Sequence, residues 1–467
     1  MKSRKNRPLY FSLLLLIGLL GTYFYFFSFL DASYSPYYGD EFFYYKNAES
    51  FYQTSKLEAA FTYTGNGSTL IGFDPHGPAY PLLYGFFAKI FGWFGPLIPI
   101  INFSILSIAL LLLLFQKEAS LQVKSLQLIL ILGSPITLFY SFSFMPELIQ
   151  IAGAILLFLQ FKRYQKSQDR IDLILLIFLI LSLGLIRSTW FFGLIGLIVY
   201  PKKIHWGMAL LLLLPALGLS YLSQVLFHEM VPNTFTGVGE LIRSQQYTQV
   251  AEELLFNLKR NLYFALTYSE GKFYTIQKIW MLASIILAFL FFRKEKLIQV
   301  GFLIFGLTFI FNMFFYKNYS WNDLRIYSPM LLFLNLSMIS SSLHQLVPKS
   351  LVLIGLSSFI LILPLSLKLI NYRVNSNLKV IPESAKEALL QLKQPLILID
   401  TLVLKDYSLD QLPIINRENH PIRYILPYYE MRMEKPTHQI TEQNGQIKVS
   451  EVNILSQKAR PNPTWIK

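Results

Sequence analysis

Residues 1–30 read MKSRKNRPLYFSLLLLIGLLGTYFYFFSFL: a basic head, then no charged side chain from Leu9 to Leu30. An α-helix rises about 1.5 Å per residue, so the run is long enough to cross the roughly 30 Å hydrocarbon layer of a bilayer. A secretory signal has an apolar region of about 7–15 residues and a small-residue cleavage site. This run is longer, and its exit, FLDASYSP (29–36), offers only a weak site. It is read as a retained anchor. Further apolar stretches lie near 95–115, 125–142, 145–161, 171–187, 189–201, 205–227, 276–292, 297–316, 326–346 and 350–370, so about eleven spans are expected.

The cations between these stretches orient them. With the N-terminus in the cytoplasm, one set of turns holds Lys117 and Lys124; Lys162, Arg163, Lys166 and Arg170; Lys202 and Lys203; Arg293, Lys294 and Lys296; and Lys349. Lys and Arg concentrate in cytoplasmic loops, so residues 31–94, 228–275 and 371–467 are expected on the other side, outside the cell. The expected home is the bacterial inner membrane. In the tail, Pro382–Lys393 reads as a helix, Pro395–Asp400 as a strand, and Pro421–Leu426 as a further apolar segment. The fold class is therefore an all-α polytopic membrane domain over residues 1–370 with a small extracytoplasmic α/β domain over 371–467.

Composition agrees. Charged residues make up 15% of the chain, against roughly 25% in soluble domains. The formal net charge of +14 has no soluble basic face to carry it, so membrane lipids and an anionic ligand are expected partners and nucleic acid is not. The absence of Cys excludes disulfides, thiolate metal sites and thiol catalysis. No internal repeat is evident, which weighs against a transporter built from inverted repeats.

Candidate chemistry concentrates in the first outer loop. It opens with GDEFFYYKNAESFYQTSKL (39–57). On a helix, Lys46, Glu49, Gln53 and Lys56 make one polar stripe, and Tyr44, Ala48, Phe51 and Tyr52 lie on another face, the pattern of a helix lying in the membrane interface. A second interfacial helix is expected from Pro78, within FDPHGPAYPLLYGFFAKIFG (73–92), since Pro suits the first helical position. Locally, an N-cap explains Asp40, a first-turn acid Glu41, and a backbone-bonded loop residue His76.

An acidic pair, a helix and a His-x-Pro turn in that order resemble the GT-C superfamily of membrane glycosyltransferases. The branch resembled holds the protein O-mannosyltransferases and lipid A aminoarabinose transferases, with an Asp-Glu pair and then a His-Pro-Pro-like segment. Here the pair is Asp40-Glu41 and the segment His76-Gly77-Pro78, with Gly in place of the first Pro. GSPITLFYSFSFMPELIQ (133–150) looks like the family's third-to-fourth helix turn, and LGLIRSTWFFGLIGL (183–197) like its Arg-containing turn. NDLRIYSPMLLFL (322–334) looks like its Arg-Tyr-x-x-Pro entry to a later helix, with Ile326 intervening. The resemblance covers about residues 1–370; the tail matches nothing nameable.

The resemblance implies transfer of a sugar from a polyprenyl-phosphate donor to a lipid, polysaccharide or protein acceptor, with inversion. Asp40 would be the base, and Glu41 would bind the acceptor or orient its neighbour. Arg187 and Arg325, cations in short outer turns, would bind the donor phosphate; snorkelling, or pairing of Arg325 with Asp323, is the plainer account. Arg243, Lys259, Arg260 and Lys272 are lesser candidates. His76, Glu147 and Tyr44 could contact donor or acceptor, although Glu147 also reads as a helix cap, and Tyr37, Tyr38, Tyr44 and Tyr45 as an aromatic belt. Asp40, Glu41 and His76 could converge on a divalent ion, which is left open. The competing readings are a lipid-linked sugar flippase or transporter, which should carry ionisable residues at mid-membrane, and a polymerase or ligase of another membrane fold.

Overall fold

The computed structural model describes residues 3–31, 34–37, 39–65, 70–71, 76–200, 206–229, 234–267, 272–291, 295–316, 325–341, 346–374, 378–426 and 435–452. The chain divides into two compact units. Unit 1 holds Met1–Leu30, Pro99–Tyr221 and Pro232–Ile370; unit 2 holds Asp31–Ile98, Leu222–Val231 and Asn371–Lys467. A boundary after residue 370 was expected, but the tail does not stand alone: the first loop folds into its unit.

Unit 1 is helical, and its helices follow the apolar stretches. Four among the described residues are long and apolar enough to cross a membrane: Tyr10–Phe27, Leu97–Leu114, Gly207–Phe227 and Lys296–Phe315. The count of eleven spans remains an expectation. Helices such as Ser3–Phe27 and Arg170–Ile186 turn bare apolar faces outward. Phe11, Leu14, Ile17 and Phe24 on the first, and Ile171, Ile174 and Phe178 on the second, are each at least 65% exposed. In water each such side chain would forgo about 1.5–3 kcal/mol of burial; hydrocarbon removes that penalty. This is an integral membrane protein.

Two expected spans take another form. Residues 125–142 break at Gly133-Ser134, between the helices Leu121–Leu132 and Pro135–Tyr140, where Pro135 starts the second at a position that needs no N–H. Residues Ser188–Val199 form a 3₁₀ helix, which at about 2.0 Å per residue stretches these few turns to about 24 Å. Glycines allow its close packing: a Cβ on Gly193 would stand 3.0 Å from Ile180, and one on Gly196 2.9 Å from Phe161 and Val300.

Unit 2 is built on a five-stranded sheet of order β1-β3-β2-β4-β5. The strands are β1 (Phe61–Thr62), β2 (Leu396–Ile399), β3 (Arg423–Ile425), β4 (His438–Gln443) and β5 (Gln446–Glu451). The first four run parallel, and β4 and β5 pair antiparallel across Asn444-Gly445, both at positive φ (53° and 76°), as a two-residue hairpin turn requires. The helix Glu383–Leu390, β2 and β3 fall inside the tail segments expected to be structured. β1 comes from the first loop. Asn47 holds this short edge: its Nδ2 donates to Phe61 O (3.1 Å) and its Oδ1 accepts from Phe61 N (2.8 Å).

The helix Gly39–Thr54 corrects an expectation. It is not a surface helix with one polar stripe; Phe42, Phe43, Tyr44, Tyr45, Lys46, Asn47, Ala48 and Ser50 are all buried. Phe42 and Phe43 enter the core with Phe61, Ile397, Ile399 and Tyr424. Lys46 survives burial because its Nζ donates to Glu49 (2.6 Å) and to Asp410 O (2.7 Å). The following helix, Ala79–Phe91, does carry two faces: Tyr80, Tyr84 and Ala88 are buried, while Phe86, Ile90 and Phe91 are exposed.

Candidate functional site

The residues singled out in the sequence fall into two groups. Asp40, Glu41, Tyr44 and His76 belong to unit 2; Glu147, Arg187 and Arg325 belong to unit 1.

In unit 2 the acidic pair is split by its surroundings. The helix begins at Gly39, so both acids lie in its first turn, where the helix dipole favours negative charge. Glu41 turns inward and is fully buried. Its Oε1 accepts from Arg373 Nη2 (2.5 Å) and its Oε2 from the Tyr37 N–H (2.8 Å). Arg373, itself buried, also lies over the Tyr34 ring at 5.9 Å. Burial pushes the Tyr34 phenol up to about 12, with Arg373 drawing it down and Glu41 raising it. A carboxylate so enclosed cannot meet an acceptor in this conformation, so the acceptor-binding role expected of Glu41 does not fit.

Asp40 is only half-buried. Its Oδ1 accepts from the Tyr63 hydroxyl at 2.8 Å. Tyr63 packs on Phe43 at 4.2 Å between centroids, and His76 stacks obliquely on Tyr44 at 4.7 Å. His76 also lies within 6.5 Å of Tyr63, so Asp40, Tyr63, His76 and Tyr44 form one neighbourhood. Gly77 has φ 78°, and its missing Cβ leaves room for the His228 ring, whose Cε1 would be 3.1 Å away. Gly77 therefore has a local reason: Pro, whose φ is locked near −65°, cannot adopt this turn.

Glu229 went unnoticed in the sequence. It is buried, and accepts from Tyr63 N (2.9 Å), Thr64 N (2.6 Å) and the Thr64 hydroxyl (2.5 Å). Nothing local signals this, because its partners lie 166 and 165 residues away. Arg373 was likewise missed; its signal is a cation just past the last apolar run, 350–370.

In unit 1, Glu147 opens the helix Glu147–Ser167 behind Pro146, and its Oε2 is buried without a hydrogen-bond partner among the described residues. Its side chain, 3% exposed, faces Arg325 with Oε1 at 3.7 Å from Nε, an ion pair too long to be a hydrogen bond. Asp323, the partner expected from sequence, lies outside the described residues, as does Tyr38. Arg187 sits in extended conformation between the helix Arg170–Ile186 and the 3₁₀ stretch. Its Nη1 and the Thr189 Oγ1 are buried without a hydrogen-bond partner among the described residues. Buried donors are nearly always satisfied, so this turn has hydrogen bonds to offer. Arg243 and Lys259 are exposed, and Arg260 is half-buried.

Among the described residues no group of three or more His, Asp or Glu is arranged to hold a metal ion, and Glu41 is committed to Arg373. The convergence of Asp40, Glu41 and His76 on a divalent ion does not fit this arrangement.

No family model matches the chain, and no curated protein matches it. Among solved structures it is similar to the archaeal oligosaccharyltransferase AglB from Archaeoglobus fulgidus, solved in complex with an inhibitory peptide and a dolichol-phosphate. The identity is 12% and the TM-score 0.44, over 88% of this chain and 65% of that one. The chain thus spans less than two thirds of that protein's length.

Proposed function

We propose that the protein is a GT-C-type glycosyltransferase. It moves a sugar from a polyprenyl-phosphate carrier to a lipid, glycan or protein acceptor at the outer face of a bacterial inner membrane. The N-terminus is cytoplasmic, and the first loop and the tail face outward. The observation that carries this reading is the split within the acidic pair: Glu41 is enclosed by Arg373 and Tyr37, whereas Asp40 is half-buried, accepts from the Tyr63 hydroxyl and lies beside His76 and Tyr44. One carboxylate fastens the helix; the other lies half-buried in an aromatic neighbourhood that includes Tyr63 and His76. The archaeal enzyme's dolichol-phosphate is a carrier of the class proposed here, but the reading stands on Asp40.

In the reaction the acceptor oxygen or nitrogen attacks the anomeric carbon as the bond from that carbon to the phosphate oxygen breaks. Asp40 takes the acceptor proton. The phosphate departs with the bonding electron pair; within unit 1, Arg187 and Arg325 are the residues assigned to the donor phosphate, which a guanidinium binds in bidentate fashion. A single displacement of this kind inverts the anomeric configuration. Glu41 orients the helix that carries Asp40.

The test is transfer from a radiolabelled polyprenyl-phosphate sugar by protein reconstituted in liposomes. Asp40→Asn should abolish transfer while donor binding survives, and Arg187→Ala and Arg325→Ala should each weaken donor binding about tenfold, the loss of roughly 1.4 kcal/mol. Full transfer by Asp40→Asn would reject the base; unchanged affinity in both arginine variants would reject the phosphate assignment.

A further inference from the structure

A general base works only within hydrogen-bond reach of its proton, and a misplacement of about 1 Å can lower a rate on the order of a hundredfold. What holds Asp40 therefore matters as much as Asp40. Its bond from the Tyr63 hydroxyl is only as firm as Tyr63. That residue follows β1 directly, where the sheet ladder has already ended.

Tyr63 is held instead by Glu229. One carboxylate, 3% exposed, takes the Tyr63 N–H on one oxygen and both the N–H and the hydroxyl of Thr64 on the other. Bonds to an ionised acceptor are roughly twice as strong as neutral ones, and closing a turn at the end of a strand does not call for a buried charge. The adjacent His228 ring fills the space over Gly77, beside His76. Two consecutive residues thus brace both short segments that carry the aromatic neighbours of Asp40.

We propose that Glu229 is a positioning residue for Asp40, acting through Tyr63. Glu229 fixes the Tyr63 backbone, and the Tyr63 hydroxyl in turn keeps the Asp40 carboxylate in the rotamer that meets the acceptor. The inference rests on the reading of Asp40 as the base.

Glu229→Gln preserves the shape but sets an amide NH₂ against one of the backbone donors. Tyr63→Phe removes only the hydroxyl and keeps the ring on Phe43. In liposomes with a radiolabelled polyprenyl-phosphate sugar, each variant of the full chain should lower kcat about tenfold, with the donor KM unchanged within about twofold. The double variant should be no slower than the slower single, because both changes cut the same connection. Hydrogen exchange of purified protein reads the first link without turnover: the amides of residues 63 and 64 should exchange faster in Glu229→Gln and at the wild-type rate in Tyr63→Phe. A double variant whose loss is the product of the two singles, a Glu229→Gln enzyme with wild-type kcat, or unaltered amide exchange would overturn the inference. These results leave the base assignment standing so long as Asp40→Asn is inactive; an active Asp40→Asn removes both.

Discussion

Each unit contains a buried glutamate facing an arginine from a distant part of the chain, and the two pairs are built differently. In unit 2, Glu41 and Arg373 meet at 2.5 Å, the second carboxylate oxygen is occupied by Tyr37, and both side chains are almost fully enclosed at 0% and 2% exposure. In unit 1, Glu147 and Arg325 stand 3.7 Å apart, with the guanidinium 20% exposed. The first pair is closed and the second open. A closed pair fixes a fold, since neither charge can leave without stranding the other in a medium of low dielectric. In the second pair the contact is longer than a hydrogen bond and the guanidinium is partly open to water. Identical residue types are thus drawn tightly together in one place and loosely in the other, and the contact length with its flanking bonds distinguishes them.

The largest effect expected from this contrast is on stability. Glu41→Gln removes the charge that neutralises Arg373 and should destabilise unit 2 by about 3–5 kcal/mol, the usual consequence of breaking a buried pair. Thermal unfolding of detergent-solubilised protein would show it as a fall in Tm. Replacing both partners, as in Glu41→Gln with Arg373→Met, should recover part of the loss, because no buried charge then lacks a partner. If the single variant melts like wild type, the pair is not closed in the sense described.

Local sequence shows the helices of unit 1 because a membrane-crossing run such as Lys296–Phe315 must be apolar over most of its length, whether it meets lipid or other helices, and that constraint is written at most positions. The tail strands β2 and β3 are legible for a similar reason: LILI and the Tyr424-Ile425 pair of RYI are buried in a sheet, each strand following a proline-led turn. β1 is not legible. Two residues have no periodicity, and Phe61-Thr62 become a strand only because β3 lies alongside and Asn47 seals the outer edge. The same holds for the site. Asp40 and Glu41 stand out as a pair, yet nothing in GDEFF says that one points inward, since that depends on Arg373, 332 residues away. The interfacial reading of the helix Gly39–Thr54 failed for this reason too: its polar residue Lys46 meets the carbonyl of Asp410 rather than solvent.

A smaller effect sharpens the account of the closed pair through pH. Tyr34 lies against Arg373, and burial raises its phenol from the ordinary 10.0 to about 12. A group whose folded pKa is raised supports the fold below its unfolded pKa and loses that support as pH climbs through the folded one. The contribution, at most about 2.7 kcal/mol for that gap, should therefore be intact below about pH 10 and gone above about pH 12. Tyr34→Phe should flatten this part of the stability curve relative to wild type. Parallel curves for the two proteins would mean that Tyr34 ionises as freely in the fold as in the unfolded chain.

The smallest effect probes the open pair. If the Glu147 carboxylate only holds the place of a phosphate beside Arg325, removing its charge leaves the guanidinium with one competitor fewer. Glu147→Gln should then bind a polyprenyl phosphate about fivefold more tightly, roughly 1 kcal/mol, in equilibrium binding to protein in nanodiscs. Its thermal stability should change less than that of Glu41→Gln, because Arg325 retains access to water. Weaker binding would assign Glu147 the opposite role, a carboxylate that aims Arg325 at its ligand, and would make the two pairs alike: both structural, differing only in how tightly they are drawn.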